Sequence, residues 1–196
     1  MARKEIRILP ASFFRREPLI CARELIGTEL IWGRCSGVIV ETEAYTATND
    51  EAAHTFTRPS ARAFIERNRG GAAYVYFNYG VHWMLNVLVK GGIVDGFVLI
   101  RALEPRRGIS LMKERRGLED EKRLCSGPGK LTKALGITGR HHEMDLCSDD
   151  RHCFARSASG AIYLVASRRI GITRSADFPW RFTLRDSRFL SAPVKL

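Results

Sequence analysis

Glu41, Glu43 and Tyr45 alternate within the stretch Val-Ile-Val-Glu-Thr-Glu-Ala-Tyr, residues 38–45. The β-branched residues Val38, Ile39, Val40 and Thr42 favour an extended backbone there. Successive side chains on a strand point to opposite faces, so Ile39, Glu41, Glu43 and Tyr45 are expected on one side. Neighbours on that side lie about 7 Å apart, at a rise of roughly 3.3 Å per residue. A carboxylate beside apolar walls is desolvated, which raises its pKa and makes it a better base. The octapeptide fits equally an edge strand with a wet outer face.

Other residues carry chemistry by type or setting. Arg101 sits inside the apolar run Gly-Phe-Val-Leu-Ile-Arg-Ala-Leu-Glu, with Phe97 and Leu99 on its face. A buried arginine needs an anionic partner, either a carboxylate or a bound phosphate. Asn86 is either satisfied by backbone or reads the edge of a ligand. Tyr79, in the turn Asn78-Tyr79-Gly80, is a large aromatic at a hairpin tip. It acts as a wedge between stacked bases or folds back on its own hairpin. Asp50, Glu51 and His54 stand together, yet Asp-Glu-x-x-His lacks the second histidine at helical spacing that a zinc site needs. His141 and His142 have no paired cysteine motif, and no metal is expected. Gly127-Pro128-Gly129-Lys130 lacks P-loop spacing, but it can aim backbone N–H groups and Lys130 at a phosphate from a helix start.

The elements that must position these residues follow from local signals. Ser12 can cap a short turn, and Pro18 suits the first turn of a helix ending near Gly27. Strands are expected at 29–32 and 37–45, a polar loop over 46–60, and a short helix over 61–68. An aromatic hairpin follows, with arms 73–77 and 81–89; Asn78 and Gly80 tolerate the positive φ of its turn. A central strand over 96–104 ends at Pro105. Helices are expected over 108–116 and from Gly127 to Gly136. The stretch 137–160 reads as an irregular surface excursion, and strands near 161–166 and 180–185 close the chain. The pattern is one antiparallel-rich α+β domain over residues 1–196, with helices gathered at the ends.

A chain of 196 residues, 45% hydrophobic and 27% charged, fits a single globular domain. No apolar run approaches the roughly 20 residues that span a bilayer, and the start, Met-Ala-Arg-Lys-Glu-Ile-Arg, lacks a signal-peptide core. Cys21, Cys35, Cys125, Cys147 and Cys153 are odd in number and form no Cys-x-x-Cys pair, which favours reduced thiols and a cytoplasmic location, at the nucleoid in a bacterium. Lysine plus arginine is 32 against 21 acidic residues, a net charge of +11. Such a balance points to an anionic partner, most often nucleic acid. Arginines are spread along the chain, so a folded basic face is expected rather than a disordered tail.

Several blocks, in one order, resemble the mammalian-type methylpurine, or alkyladenine (3-methyladenine), DNA glycosylase family. They are Val40-Glu41-Thr42-Glu43-Ala44-Tyr45, Asp50-Glu51-Ala52-Ala53-His54, Tyr74-Val75-Tyr76-Phe77-Asn78-Tyr79-Gly80 and Leu85-Asn86. Ile100-Arg101-Ala102-Leu103-Glu104-Pro105 and Leu124-Cys125-Ser126-Gly127-Pro128-Gly129-Lys130-Leu131 complete the set. The likeness runs from about residue 8 to 185. It implies a curved, open-barrel-like antiparallel sheet with peripheral helices and a protruding DNA-intercalating hairpin. It implies a monofunctional enzyme, acting as a monomer on double-stranded DNA without a cofactor. By the same resemblance Glu43 is the general base for the water that attacks C1′, and Arg101 helps hold that water and a backbone phosphate. Tyr45, His54 and Tyr76 enclose the flipped purine, Asn86 crowds the exocyclic amine of guanine, and the Ile170 carbonyl touches the water. Tyr79 fills the gap left by the flipped nucleotide; Gly80, Val81, Leu99 and Lys130 are assigned to DNA contact.

The chain departs from that family's pattern at Thr57-Arg58-Pro59-Ser60-Ala61-Arg62, at Arg69-Gly70-Gly71 and at Asn78. These departures bear on DNA contacts and damage preference. Two other classes stand beside the glycosylase: a catalytically silent nucleic-acid-binding domain of the same fold, and a metal-dependent hydrolase built on Glu41, Glu43 and His54.

Overall fold

The computed structural model describes residues 6–156 and 162–194. Its spine is β2 (Cys35–Thr46), buried along nearly its whole length. One edge of β2 pairs antiparallel with β5 (Gly96–Arg107); the other pairs first with β1 (Glu29–Trp32), then with β8 (Arg181–Leu184). The path continues outward as β3 (Ala73–Asn78), β4 (His82–Val89), β5, β2, β1 and β6 (His152–Ala155), while β7 (Leu164–Ser167) pairs with β8. The sheet curls into an antiparallel half-barrel with helices around it, an α+β architecture as expected. Among the described residues no helix is long and apolar enough to cross a membrane.

One face of the sheet carries the main core. Ile39, Ala44, Val75, Leu85, Val98, Ile100 and Leu103 meet α1 (Pro18–Leu25) and α5 (Pro128–Leu135) there, with α4 (Ile109–Arg116) against α5. Proline at the first turn of both α1 and α5 gives up an N–H that no helix would bond. A second cluster, in which α3 (Pro59–Arg67) sets Phe64 against Tyr74, Leu88 and Phe97, lies apart from the main core. The Tyr74 and Phe97 rings stack at 4.6 Å, and this aromatic backing fixes the wall of the site described below.

Several expectations change. Ile39 does not share a face with Glu41: its pairing with Leu103 is followed by Glu41 with Ala102, so Val40 is an extra residue in β2. Such a bulge reverses the alternation, leaving Ile39 in the main core and Val40 against Ala102 and Phe189. A compensating irregularity skips Arg101 in β5. Pro105 does not end β5, which runs to Arg107; Pro105 pairs with Gly37 beside a register shift, where a missing N–H is tolerated. Residues 46–60 are not all loop, since α2 (His54–Thr57) forms there. Nor is 137–160 an excursion: β6 joins the sheet edge beside β1, and His141 is buried in a 3-10 turn. Ser12 lies inside a 3-10 turn capped by Pro10 rather than at its start. The tail strand begins at Leu164; Ala161 lies outside the described residues.

Candidate active site

The doubled irregularity in β2 and β5 builds the centre of the site. Glu41, Glu43, Phe97, Leu99 and Arg101 all reach one side of the sheet, and both carboxyl groups are fully buried. Three donors meet Glu43. Tyr45 Oη donates to Oε2 at 2.8 Å, Arg101 Nη1 to the same oxygen at 3.2 Å, and the Ile170 backbone N–H to Oε1 at 2.7 Å. Burial and the adjacent Glu43 charge push the Tyr45 hydroxyl well above its usual pKa, so it stays a donor.

Glu41 has the opposite role. Arg101 Nε and Arg181 Nε each donate to its Oε1 at 2.9 Å, and Ser191 donates its N–H to Oε2 and its hydroxyl to Oε1, both at 2.7 Å. Burial raises its pKa, but the Arg101 charge and the Arg181 and Ser191 hydrogen bonds outweigh it and hold the carboxyl below the usual range. Glu41 is thus a fixed anion that orients Arg101 toward Glu43. The anionic partners that a buried Arg101 requires are these two carboxylates.

A cavity of about 270 Å³ opens on this group, lined by Tyr45, His54, Tyr74, Tyr76, Asn86 and Arg101 among others. Of the expected pocket residues, Tyr45, His54, Tyr76, Asn86 and Ile170 all line it. His54 is half-buried rather than solvated, with Nδ1 3.1 Å from the Tyr74 hydroxyl and its ring 4.3 Å from that of Tyr76. Burial, with the nearby Arg58 cation, lowers its pKa to about 4. Burial and the neighbouring Tyr74 push Tyr76 up to about 12. Asn86 spends one amide hydrogen on the Tyr74 carbonyl at 3.3 Å and keeps its place in the wall.

Residues assigned to DNA contact divide. Tyr79, Gly80 and Val81 form the exposed hairpin tip, and Tyr79 is 91% exposed. Tyr79 itself, not Asn78, takes the left-handed backbone, at φ 48°, followed by Gly80 at φ 67°. An aromatic residue there is uncommon and strained. Leu99 is only 5% exposed and lies in the cavity wall, paired with Glu43 and Asn86, rather than on the hairpin tip. Lys130 is exposed at the first turn of α5, and Pro128 reaches the cavity. The α5 start comes so close to the tip end of the hairpin that a Cβ on Gly129 would meet His82 Cγ at 2.6 Å.

Sequence reasoning missed a second buried ion pair. Arg169 donates to both Asp50 oxygens, at 2.7 and 2.8 Å, and to the Ala44 and Ser175 carbonyls. Its guanidinium lies 4.5 Å from the Tyr45 ring centre. Tyr74, Met84 and Arg58 were also missed as cavity residues; the alternation of Tyr74 with Tyr76 was the available signal for the first. The Glu41–Glu43–His54 metal reading meets an obstacle, since arginines occupy the lone pairs a cation would use and His54 Nδ1 faces Tyr74.

The site is therefore a buried carboxylate held by three residues of an aromatic cavity wall, beside an exposed hairpin tip on a basic chain. Residues 12–188 match the profile of the methylpurine-DNA glycosylase family. The chain is 47% identical over 186 residues to a Rhodopseudomonas palustris protein named "Putative 3-methyladenine DNA glycosylase", covering 95% of this chain and 89% of that one. Proteins of the same name from Nitrobacter winogradskyi and Agrobacterium fabrum are 43% and 45% identical, covering 95% and 93% of this chain and 88% and 92% of theirs. The chain belongs to the methylpurine-DNA glycosylase family. It is an enzyme, a monofunctional DNA glycosylase.

Proposed function

We propose that the enzyme removes 3-methyladenine, 7-methylguanine and deaminated or etheno purines from duplex DNA by base flipping and hydrolysis, leaving an abasic site. It acts as a monomer built from one domain, residues 1–196. The observation that carries this reading is Glu43, buried directly behind the aromatic cavity, its carboxylate held by Tyr45, Arg101 and Ile170, which all line that cavity.

A base cannot be attacked inside the stack, and extruding it costs a few kcal/mol, less when it is damaged. Stacking on an aromatic residue returns about 1–3 kcal/mol per base, which the walls at Tyr45, His54 and Tyr76 supply. Tyr79 fills the vacated space as a wedge; its exposure and strained backbone suit a residue shaped for insertion. Glu43 takes a proton from water as the water oxygen bonds to C1′ and the base departs with the electrons of the glycosidic bond. Arg101, oriented by Glu41, keeps the Glu43 carboxylate in place and offers positive charge toward the backbone. Asn86 narrows the wall where the amine of normal guanine would sit. Lys130 and the surface arginines supply sequence-independent affinity for phosphates.

A release assay with 3-methyladenine, 7-methylguanine, hypoxanthine and ethenoadenine in duplex DNA tests the reading. Release of free base with no borohydride-trapped protein–DNA adduct is the expected result. A stable adduct would replace water with an amine nucleophile.

A further inference from the structure

Among the described residues, Arg58 is the cavity-lining cation without a carboxylate partner; its side chain bonds the neutral Tyr74 hydroxyl instead. Glu41 and Glu43 face Arg101 and Arg181, and Asp50 faces Arg169. His54, whose pKa lies at about 4, is neutral at pH 7. Arg58 also lines the cavity, its guanidinium carbon 5.6 Å from the Tyr76 ring centre. Among the described residues no carboxylate pairs with it. Arg58 lies between α2 and α3, and its backbone N–H donates to the His54 carbonyl at 2.7 Å. The pocket thus carries a net positive charge contributed by one side chain.

We propose that Arg58 sets the charge preference of the pocket, favouring uncharged damaged purines over N-alkylated purine cations. The inference rests on the glycosylase reading above and adds selectivity to it. As the reaction proceeds, the water oxygen bonds to C1′, its proton passes to Glu43, the C1′–N9 bond breaks and the base keeps the electron pair. A neutral purine becomes an anion, which solvent then protonates; an alkylated cation becomes neutral. Measured from free substrate, a fixed cation in the wall stabilises the transition state of the neutral purine. It repels that of the cationic purine, which still holds part of its charge. At a half-wet site a unit charge in the cavity wall changes kcat/KM about three- to tenfold for each class.

The test is single-turnover kcat/KM for duplexes carrying hypoxanthine, a neutral base, and 7-methylguanine, a cation, at fixed salt. Wild-type enzyme, Arg58→Gln and Arg58→Lys are compared. Loss of the charge in Arg58→Gln should lower the rate on hypoxanthine and raise it on 7-methylguanine, moving their ratio by about ten- to a hundredfold. Arg58→Lys should restore the ratio. An unchanged ratio in an active enzyme overturns the inference alone. So does an equal loss on both substrates with a shallower salt dependence, which would make Arg58 a phosphate contact. Wild-type release confined to cationic purines also overturns it, whereas release of neither base overturns the glycosylase reading itself.

Discussion

Asp50 and Arg169, 119 residues apart, form a forked and fully buried ion pair directly behind the cavity. The Arg169 guanidinium supports the Tyr45 ring, and the next backbone N–H, that of Ile170, caps Glu43. Two of the donors that hold Glu43 therefore depend on one arginine. Removing either partner strands a buried charge, which costs about 3–5 kcal/mol. Arg169→Met should lower the urea midpoint accordingly, and the folded fraction should excise more slowly. An unchanged midpoint would show that the pair adds nothing to the fold.

Glu43→Gln should reduce excision by about two to four orders of magnitude, the usual contribution of a positioned base. The amide keeps an oxygen for the Ile170 N–H but cannot take a proton. Binding to lesion DNA, followed by gel shift, should stay close to wild type. Substantial single-turnover activity would move the base elsewhere.

Tyr79→Ala should weaken excision of a damaged purine in a paired duplex more than excision of the same base left unpaired. The wedge acts on extrusion, and an unpaired base is already partly extruded. Equal losses on the two substrates would argue that Tyr79 acts on bond cleavage or general affinity instead.

His54 links the site to pH. Its pKa falls from 6.5 to about 4 on folding, through burial and then Arg58. Between these values the unfolded chain binds a proton that the folded chain refuses, so stability rises with pH across this window. The His54 contribution is complete above about 6.5 and is lost as the pH falls toward 4. His54→Gln should flatten this part of the stability–pH curve, and an NMR titration of the His54 ring should show no transition above pH 5. A His54 transition near 6.5 would contradict the packing described for it.

Lys130→Ala should weaken binding alike on damaged and undamaged duplex and reduce the slope of log K against log salt by about one. Lys130 is exposed at the start of α5, beside a helix end whose Pro128 reaches the cavity. A change confined to the damaged duplex would place Lys130 in base recognition.

Much of this molecule was legible locally. The β-branched run before Glu41, the proline starts of α1 and α5, and the aromatic arms of the hairpin all specified their elements through neighbouring residues. The residues around the cavity, Glu43, Tyr45, His54, Tyr76, Asn86 and Arg101, were recognisable from their types, order and family likeness. What lay beyond reach was set by contacts between distant segments. Strand alternation placed Ile39 beside Glu41, but the extra residue at Val40 is fixed by how β2 pairs with β5. The Asp50–Arg169 pair, the clasp of Ser191 and Arg181 on Glu41, and the burial of Leu99 exist only once the sheet has curled. Side-chain types and local periodicity travel with the chain, whereas the partner of a buried charge is chosen by packing, because desolvation makes it costly for that charge to remain alone.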